Sequence, residues 1–506
     1  MAVLFGGIQA NAWATEPNPN ATLIYYDMAG NETLDPAEPQ NNSSYSHEAL
    51  MAIFDPLIRL NGAGNPEPGL AQSWTRNDDL TELTLKLRPG ITFHDGLPVN
   101  AEAVRRNFER MAGLGGRVGT TMIETFKLVS SVEVLAEDTI RLKLKAPSGQ
   151  IEFWLASNSG MMISPAALKE GVVGSALQPI GAGPFRLKSF DPNVKTVMTR
   201  VDNYWGGTKN RPAAFEHHYV PDGRARLNAL RSGQANIALI DPRQIPEAKS
   251  AGLHIEVVEK NALWLIYPNL KKGPLGDLRV RRAIMHAIDR EAIADALTNG
   301  SGRPTSQMWS SKSPFYVPEL ETRYPFDQKK AKALLAEAGL KDGFELTDLL
   351  LNNSEYRQVA EALQANLAEV GIRMKFDVVD VSQFPQFYRP PTRGDILMGR
   401  YGGRSDPIMT VHEIVGNGGS YAPGGSASPR IDELINQARR MAATDPRRIG
   451  VMQDLAREIS DSAATMPMIT RANVYAYKAG CILNLEPYLP SGDDRFNDVY
   501  VSTGCK

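Results

Sequence analysis

At 506 residues the chain is too long for one hydrophobic core, and its length implies about three domain-sized units. Its 42% hydrophobic and 22% charged residues, with 43 Gly and 34 Pro, describe an ordinary globular chain rich in turns. A net charge of −2, with Lys and Arg spread along the sequence, offers no basic face to nucleic acid, and no run of 18 apolar residues offers a transmembrane helix.

The chain opens on a short apolar run, Met1 to Ile8, and reaches Ala12-Trp13-Ala14 before the polar stretch Thr15-Glu16-Pro17-Asn18-Pro19. Ala-x-Ala before a polar, Pro-rich start reads as the end of a secretory signal peptide cleaved after Ala14, with 1–14 its remnant and the basic leading region missing. A disordered tail is the other reading. Thr22 to Tyr26 is a strand that opens into the polar loop Asp27 to Pro36, the kind of place where α/β proteins hold ligands. Ser46 to Leu60 has helical spacing at Leu50, Ile53, Phe54 and Leu57. Leu83 to Arg88 alternates as a strand, Phe93-His94-Asp95-Gly96 is a turn, and Asn100 caps a helix over 101–111. Val129 to Val134 and Thr139 to Leu144 form a hairpin, and Gln150 to Ala156 is a short apolar run.

Gly181-Ala182-Gly183-Pro184 turns into Phe185 to Phe190, which alternates apolar and polar. Asp191-Pro192-Asn193 turns again, Val194 to Val201 alternates, and Asn203-Tyr204-Trp205-Gly206-Gly207 closes this second hairpin. Asp222 caps a helix over 224–232, Ile237 to Ile240 is a buried strand, and Ala262 to Pro268 is a strongly apolar one. From Asp277 a helix runs to about Leu297, with Arg281, Arg282 and Arg290 on an exposed, solvated face. Asp327 caps a helix ended by Gly339; a strand to Leu351, a helix over 354–370 and the strand Ile372 to Val378 follow as a βαβ unit. Ser428-Pro429 and Asp445-Pro446 start two late helices, and Thr470 to Tyr477 is a final strand.

Catalytic and metal motifs are thin. His94 beside Asp95 lacks the further ligands a metal needs, and reads as a turn. His217 and His218 are neighbours on a strand, so their rings point to opposite faces and both read as structural. The Gly-rich run from Gly113 to Gly119 does not match G-x-G-x-x-G, and neither a phosphate-binding G-x-x-x-x-G-K-[ST] nor a G-x-S-x-G nucleophile elbow occurs. The only cysteines, Cys481 and Cys505, fit one disulfide in an oxidising compartment, which would stabilise by roughly 3 kcal/mol in the chain-entropy model. Two free buried thiols are the alternative.

Three stretches carry a family resemblance. GAGPFRLKSFDPNVKTVMTRVDNYWGG, over 181–207, resembles the "G-T/A-G-P-[FY]…N-x-x-Y-W" hairpin of the family 5 extracytoplasmic solute-binding proteins, the peptide- and nickel-type receptors of ABC importers. The run from Pro68 through Trp74 to Phe93-His94-Asp95-Gly96 is similar to the same family, as is Leu275 to Arg290. The resemblance implies an α/β, two-lobed periplasmic-binding-protein fold with a hinge. It divides the chain into lobe I over 15–266, with an extra subdomain at about 53–177, lobe II over 267–475, and a return to lobe I over 476–506. Crossovers are implied near Tyr267–Lys271 and Thr470–Tyr475.

The same resemblance implies a monomeric periplasmic receptor without catalysis, cofactor or metal, which captures a small solute and hands it to an ABC permease. Peptides are the default ligand. A nickel-type role is weakened by seven unclustered histidines. The family's ligand-anchoring strand matches Arg393 to Pro407, where peptide-binding members read "G-W-x-x-D-x-x-D/E-P". Here Tyr401 replaces the Trp, and Gly403-Arg404 stands where the first acid holds a peptide amine, while Asp406-Pro407 matches the later pair. Arg404 then favours a carboxylate or other anion, such as an opine- or sugar-acid-like solute, or else pairs with Asp406 or Glu32. Arg400, Tyr401, Gly402, Gly403, Arg404 and Asp406 are therefore candidate ligand contacts, with Asn31, Glu32 and Thr33 in the first loop and Met308 and Trp309 after Gly302-Arg303-Pro304. Trp309 and Tyr401 serve equally well as core. A hydrolase working in the cleft would need a nucleophile–base pair that the sequence does not offer.

Overall fold

The computed structural model describes residues 16–38, 47–62, 64–114, 125–168, 179–207, 209–380, 383, 386–387, 392–404, 406–485 and 496–505. The signal-peptide remnant over 1–14, most of the Gly-rich run after Gly113, and Ser46 lie outside these residues.

A ten-stranded mixed sheet organises the chain. Its order is Ile372–Val379, Phe344–Leu351, Ile396–Tyr401, Leu253–Pro268, Met466–Lys478, Ile237–Leu239, Thr22–Asp27, Ala214–Tyr219, Lys195–Arg200 and Phe185–Asp191. Thr22–Asp27 lies parallel to both Ala214–Tyr219 and Ile237–Leu239. Phe344–Leu351 lies parallel to Ile372–Val379 over all eight residues, the expected βαβ unit. The two parallel groups are joined by the long antiparallel pair Leu253–Pro268 and Met466–Lys478. Ile237–Leu239 pairs with Tyr475 to Tyr477, and Ile396–Tyr401 pairs with Leu263 to Pro268. The groups therefore attach to opposite ends of the shared pair and run toward each other, so their carboxyl ends face one another, where α/β proteins place ligands.

The chain passes from one half of the sheet to the other at a β-bulge between Glu259 and Ala262, and again between Thr470 and Tyr475. The first passage is inside a strand, earlier than the expected Tyr267–Lys271. A bulge twists a strand without ending it, which lets one ladder serve both halves.

The buried apolar side chains form separate clusters. One draws only on residues between Leu263 and Ile469. A second runs from Ala37 to Ala182 around the four-stranded sheet Ala71–Arg76, Glu82–Leu87, Thr139–Leu144, Val129–Ala136 and the helix Ala101–Gly113. Two more combine N-terminal and C-terminal segments, including Leu23 with Val501 and Leu227 with Ala476. Cys481 and Cys505 are joined as a disulfide, their Cα atoms 4.5 Å apart.

Local signals set most helix ends. Asn100, Asp222, Asp327 and Ser428 each accept a backbone N–H at the start of their helices. Three expectations fail for physical reasons. The first helix is His47–Ile53 only, and Ile58–Leu60 is a strand paired with Pro66–Pro68, because Pro56 cannot continue a helix. The helix from Asp277 splits into Leu278–Ala287 and Arg290–Thr298, since Ile288 is extended and Asp289 caps a new start. Arg281 and Arg290 are buried rather than solvated. Arg281 donates to the carbonyls of Leu275, Gly276, Ser462 and Ala463, and Arg290 to those of Met285, Tyr324 and Pro467. Burial lowers the Arg290 pKa to about 10.

Candidate functional site

The strand Ile396–Tyr401 sends alternate side chains to opposite faces, and this separates the candidate residues. Arg400 donates to Glu355 at 3.0 Å and lies over the Tyr356 ring. Both acidic and basic groups (Arg226, Asp241, Glu355, Arg471) share with it a cavity of about 120 Å³ beside the crossing strands. Tyr401 points the other way and is buried. Its hydroxyl donates to Glu413 Oε2 at 2.5 Å, and its ring meets Tyr421 edge to face.

Arg404 also reaches Glu413, through Nε to Oε2 at 3.0 Å and Nη2 to Oε1 at 3.3 Å. This overturns both expected pairings, with Asp406 and with Glu32. The Arg404 guanidinium is costly to bury, yet the Tyr401 oxygen and the Glu413 carboxylate raise its pKa above the ordinary arginine value. Tyr401 is pushed up by burial and then by Glu413. Gly403 supplies the left-handed turn, φ +75°, that lets the Arg404 N–H reach Thr410 Oγ1 at 2.8 Å. Gly402 belongs to the same loop.

Asp406 is wholly buried and caps the helix Pro407–Val415 through the Ile408 N–H. Its other oxygen accepts from the Gln150 side-chain amide, across from the subdomain. Beside this link the Gly149 N–H donates to the Arg439 carbonyl at 2.7 Å. The subdomain and the second half of the sheet are thus in close contact. Between them lies a cavity of about 350 Å³, lined by Gln150, Trp154, Met409, His412, Glu413 and Arg439 among others. Trp154 Nε1 is buried and has no hydrogen-bond partner among the described residues.

The remaining expected residues lie elsewhere. Asn31 is buried, accepting from the Tyr219 hydroxyl at 3.1 Å through its side chain and from the Asn193 N–H at 2.9 Å through its carbonyl. Thr33 Oγ1 accepts the Asp35 N–H, and Glu32 is exposed. None of the three lines the 350 Å³ cavity. Met308 is core, and Trp309 lines a third, smaller cavity. Sequence reasoning missed Gln150, Trp154 and Glu413. The available signal was a lone acid in the apolar run Pro407-Ile-Met-Thr-Val-His-Glu413-Ile-Val, where a buried charge needs a partner.

Of the histidines, His94 Nε2 lies 3.0 Å from the Gly183 carbonyl, in the expected turn. His217 and His218 do face opposite ways, but His217 is not isolated. Its Nε2 lies 3.3 Å from Asp27 Oδ2, and Asp27, Glu48 and His217 bring ligand-capable atoms within 4.8 Å of one another. His218 lies 2.9 Å from Glu216.

No helix among the described residues is long and apolar enough to cross a membrane. The family described as "Bacterial extracellular solute-binding proteins, family 5 Middle" matches residues 65–421. The dipeptide-binding protein of Escherichia coli K12 is 26% identical over 416 residues, 76% of this chain and 77% of that protein. The glutathione-binding protein GsiB of the same strain is 28% identical over 357 residues, covering 69% and 68%. The structure of the periplasmic binding protein DppA from Helicobacter pylori in complex with the peptide STSA superposes with a TM-score of 0.80 at 20% identity, covering 97% of this chain and 99% of that one. These relatives are binding components of transporters, not enzymes. With the match spanning most of the chain, the protein belongs to family 5 of the bacterial extracellular solute-binding proteins of ABC importers.

Proposed function

We propose that the protein captures a peptide or peptide-like solute in the 350 Å³ cavity between the helices Ile151–Leu155 and Pro407–Val415. The observation that carries this reading is Glu413. The position where peptide-binding relatives hold an amine with an acid is occupied here by Gly403-Arg404, and Glu413 brings a carboxylate back to the same neighbourhood from the next helix. Arg439 on the same cavity supplies a cation for a carboxylate, and Trp154 a free N–H for a carbonyl. The volume lies at the low end for small-molecule sites and suits a short peptide rather than a long one. Binding of an anionic solute through Arg404 is the weaker reading, because Glu413 lines the cavity and Arg404 does not.

Two lobes, residues up to about 260 with 476–506 and residues from about 262 to 475, close over the solute by bending at the two crossings near Glu259–Ala262 and Thr470–Tyr475. The mature protein starts after Ala14, works outside the cytoplasm as a monomer, and delivers its solute to the permease. Isothermal titration with a dipeptide, its N-acetyl form and its C-terminal amide tests the reading. Tight binding of the free dipeptide, lost on acetylation and in Glu413→Gln, supports it. Equal binding of the acetylated peptide, or binding of anions alone, removes Glu413 as the amine anchor.

A further inference from the structure

The third cavity, of about 70 Å³, shares no lining residue with the larger one. Phe153 lines it from the subdomain, and Trp309, Ser310, Lys312, Pro407 and Arg448 line it from the other half. Trp309 Nε1 and Arg448 Nε and Nη2 have no hydrogen-bond partner among the described residues, and each residue is only 2% exposed. Lone buried donors are rare and destabilising, a charged one most of all. Among the described residues that line the cavity there is no carboxylate, whereas there are two cations, Lys312 and Arg448.

The nearest acid is Asp406, whose Oδ1 stands 3.7 Å from Arg448 Nη2, beyond hydrogen-bonding reach. Both Asp406 oxygens are already engaged, one by the Ile408 N–H and the other by Gln150. Burial lowers the Arg448 pKa and raises that of Asp406, so in neither partner does their attraction offset the loss of water. Arg448 is instead laid over the Phe153 ring, 5.1 Å from its centroid, leaving its edge unused. A planar guanidinium edge and an indole N–H on residues that line one cavity can together receive a planar oxyanion. The rest of the lining mixes apolar Phe153, Pro314, Phe315 and Pro407 with polar Asn65, Ser310, Lys312 and Ser313, and the flat guanidinium edge matches a planar carboxylate better than a tetrahedral phosphate.

We infer that this cavity is a second ligand site, which takes a short carboxylate between Arg448 and Trp309. The site is made from both halves of the molecule, so a carboxylate bound there favours the arrangement in which the subdomain meets the second lobe, whatever solute the larger cavity takes. The volume admits only a few water-sized groups, so the occupant is an acid of about acetate size or the carboxylate end of something larger.

Thermal-shift and calorimetric titrations of the full chain with sodium acetate, against sodium chloride, sodium phosphate and acetamide at matched ionic strength, test this. The expected result is saturable stabilisation by acetate alone. Trp309→Phe, which keeps the aromatic volume and removes the N–H, weakens it about ten-fold, and Arg448→Met abolishes it. Should Arg448→Met fail to fold, Trp309→Phe and the position of acetate in soaked wild-type crystals decide the matter. Competition between acetate and a free dipeptide, but not its C-terminal amide, would make the acid the captured solute's own; absence of competition would make it a free small acid. Acetate no better than chloride, phosphate in its place, or an acetate response unchanged in Trp309→Phe overturns the assignment.

Discussion

The Tyr401 hydroxyl and one oxygen of Glu413 share a 2.5 Å hydrogen bond, and the same carboxylate holds both Nε and Nη2 of Arg404. One acid therefore neutralises a half-buried cation and satisfies a buried phenol. Glu413→Gln removes the charge and leaves Arg404 uncompensated. The expected cost is about 2–3 kcal/mol, read from urea unfolding, with Arg404→Met in the same background recovering most of it. No loss in the single variant would mean that solvent at the part-exposed Arg404 already does the work of Glu413.

Gly149 has no room for a side chain. A Cβ there would lie 1.5 Å from the Met441 carbonyl oxygen, on the opposite side of the subdomain contact. Gly149→Ala should hold the subdomain away from the second half without touching the solute. Small-angle scattering with saturating ligand should show a larger radius of gyration than wild type, and affinity should fall by about 10-fold or more. An unchanged radius would mean that this contact does not report closure.

Asp348 is fully buried on the strand Phe344–Leu351, with Oδ1 accepting the Met398 N–H at 2.8 Å. Burial raises its pKa to about 8. The folded protein therefore keeps a proton that the unfolded chain releases near pH 4. The stability this proton lends is present in full below pH 4 and is lost as pH rises toward 8, with a slope of about 1.4 kcal/mol per unit. Asp348→Asn keeps the accepting oxygen and cannot ionise. The difference between variant and wild type should be smallest below pH 4 and shift in favour of the variant by several kcal/mol as pH rises to 8. Parallel stability–pH curves would show that Asp348 is ionised throughout.

The Cys481–Cys505 disulfide ties the chain's last strand, Tyr500–Val501, to its partner Ile482–Leu483. Cys505→Ser should lower stability by roughly 3 kcal/mol and remove the sensitivity of the melting temperature to reductant. Solute affinity should stay the same, because neither cysteine lies near the cavities described.

The fold was legible wherever the information was local. Capping side chains at Asn100, Asp222, Asp327 and Ser428 announce helices because the cap and the N–H it accepts are two or three residues apart. The paired turns around Phe185–Asp191 and Lys195–Arg200 announce a hairpin for the same reason. Arg281 and Arg290 were misread as solvated because the carbonyls that hold them, at Ser462 and Pro467, are nearly 180 residues away. The site was less legible than the fold. Arg404 was visible as a cation in the wrong place for an amine, but its partner Glu413 sits on another element. Gln150 and Trp154 reach the cavity only because the subdomain docks against the second half, a contact that no periodicity encodes.

The two strands at the centre of the ten-stranded sheet are Leu253–Pro268 and Met466–Lys478, and the second is delivered almost last. While the chain is being made, Ile237–Leu239 and Leu253–Pro268 have an open edge between them for some 200 residues of synthesis, and neither half can finish its core. The protein is therefore committed to a late, long-range step, slow by the measure of contact order. Until Met466 to Lys478 arrives, the two halves remain unjoined and the sheet cannot close, so the last segments of the chain set when the fold is completed.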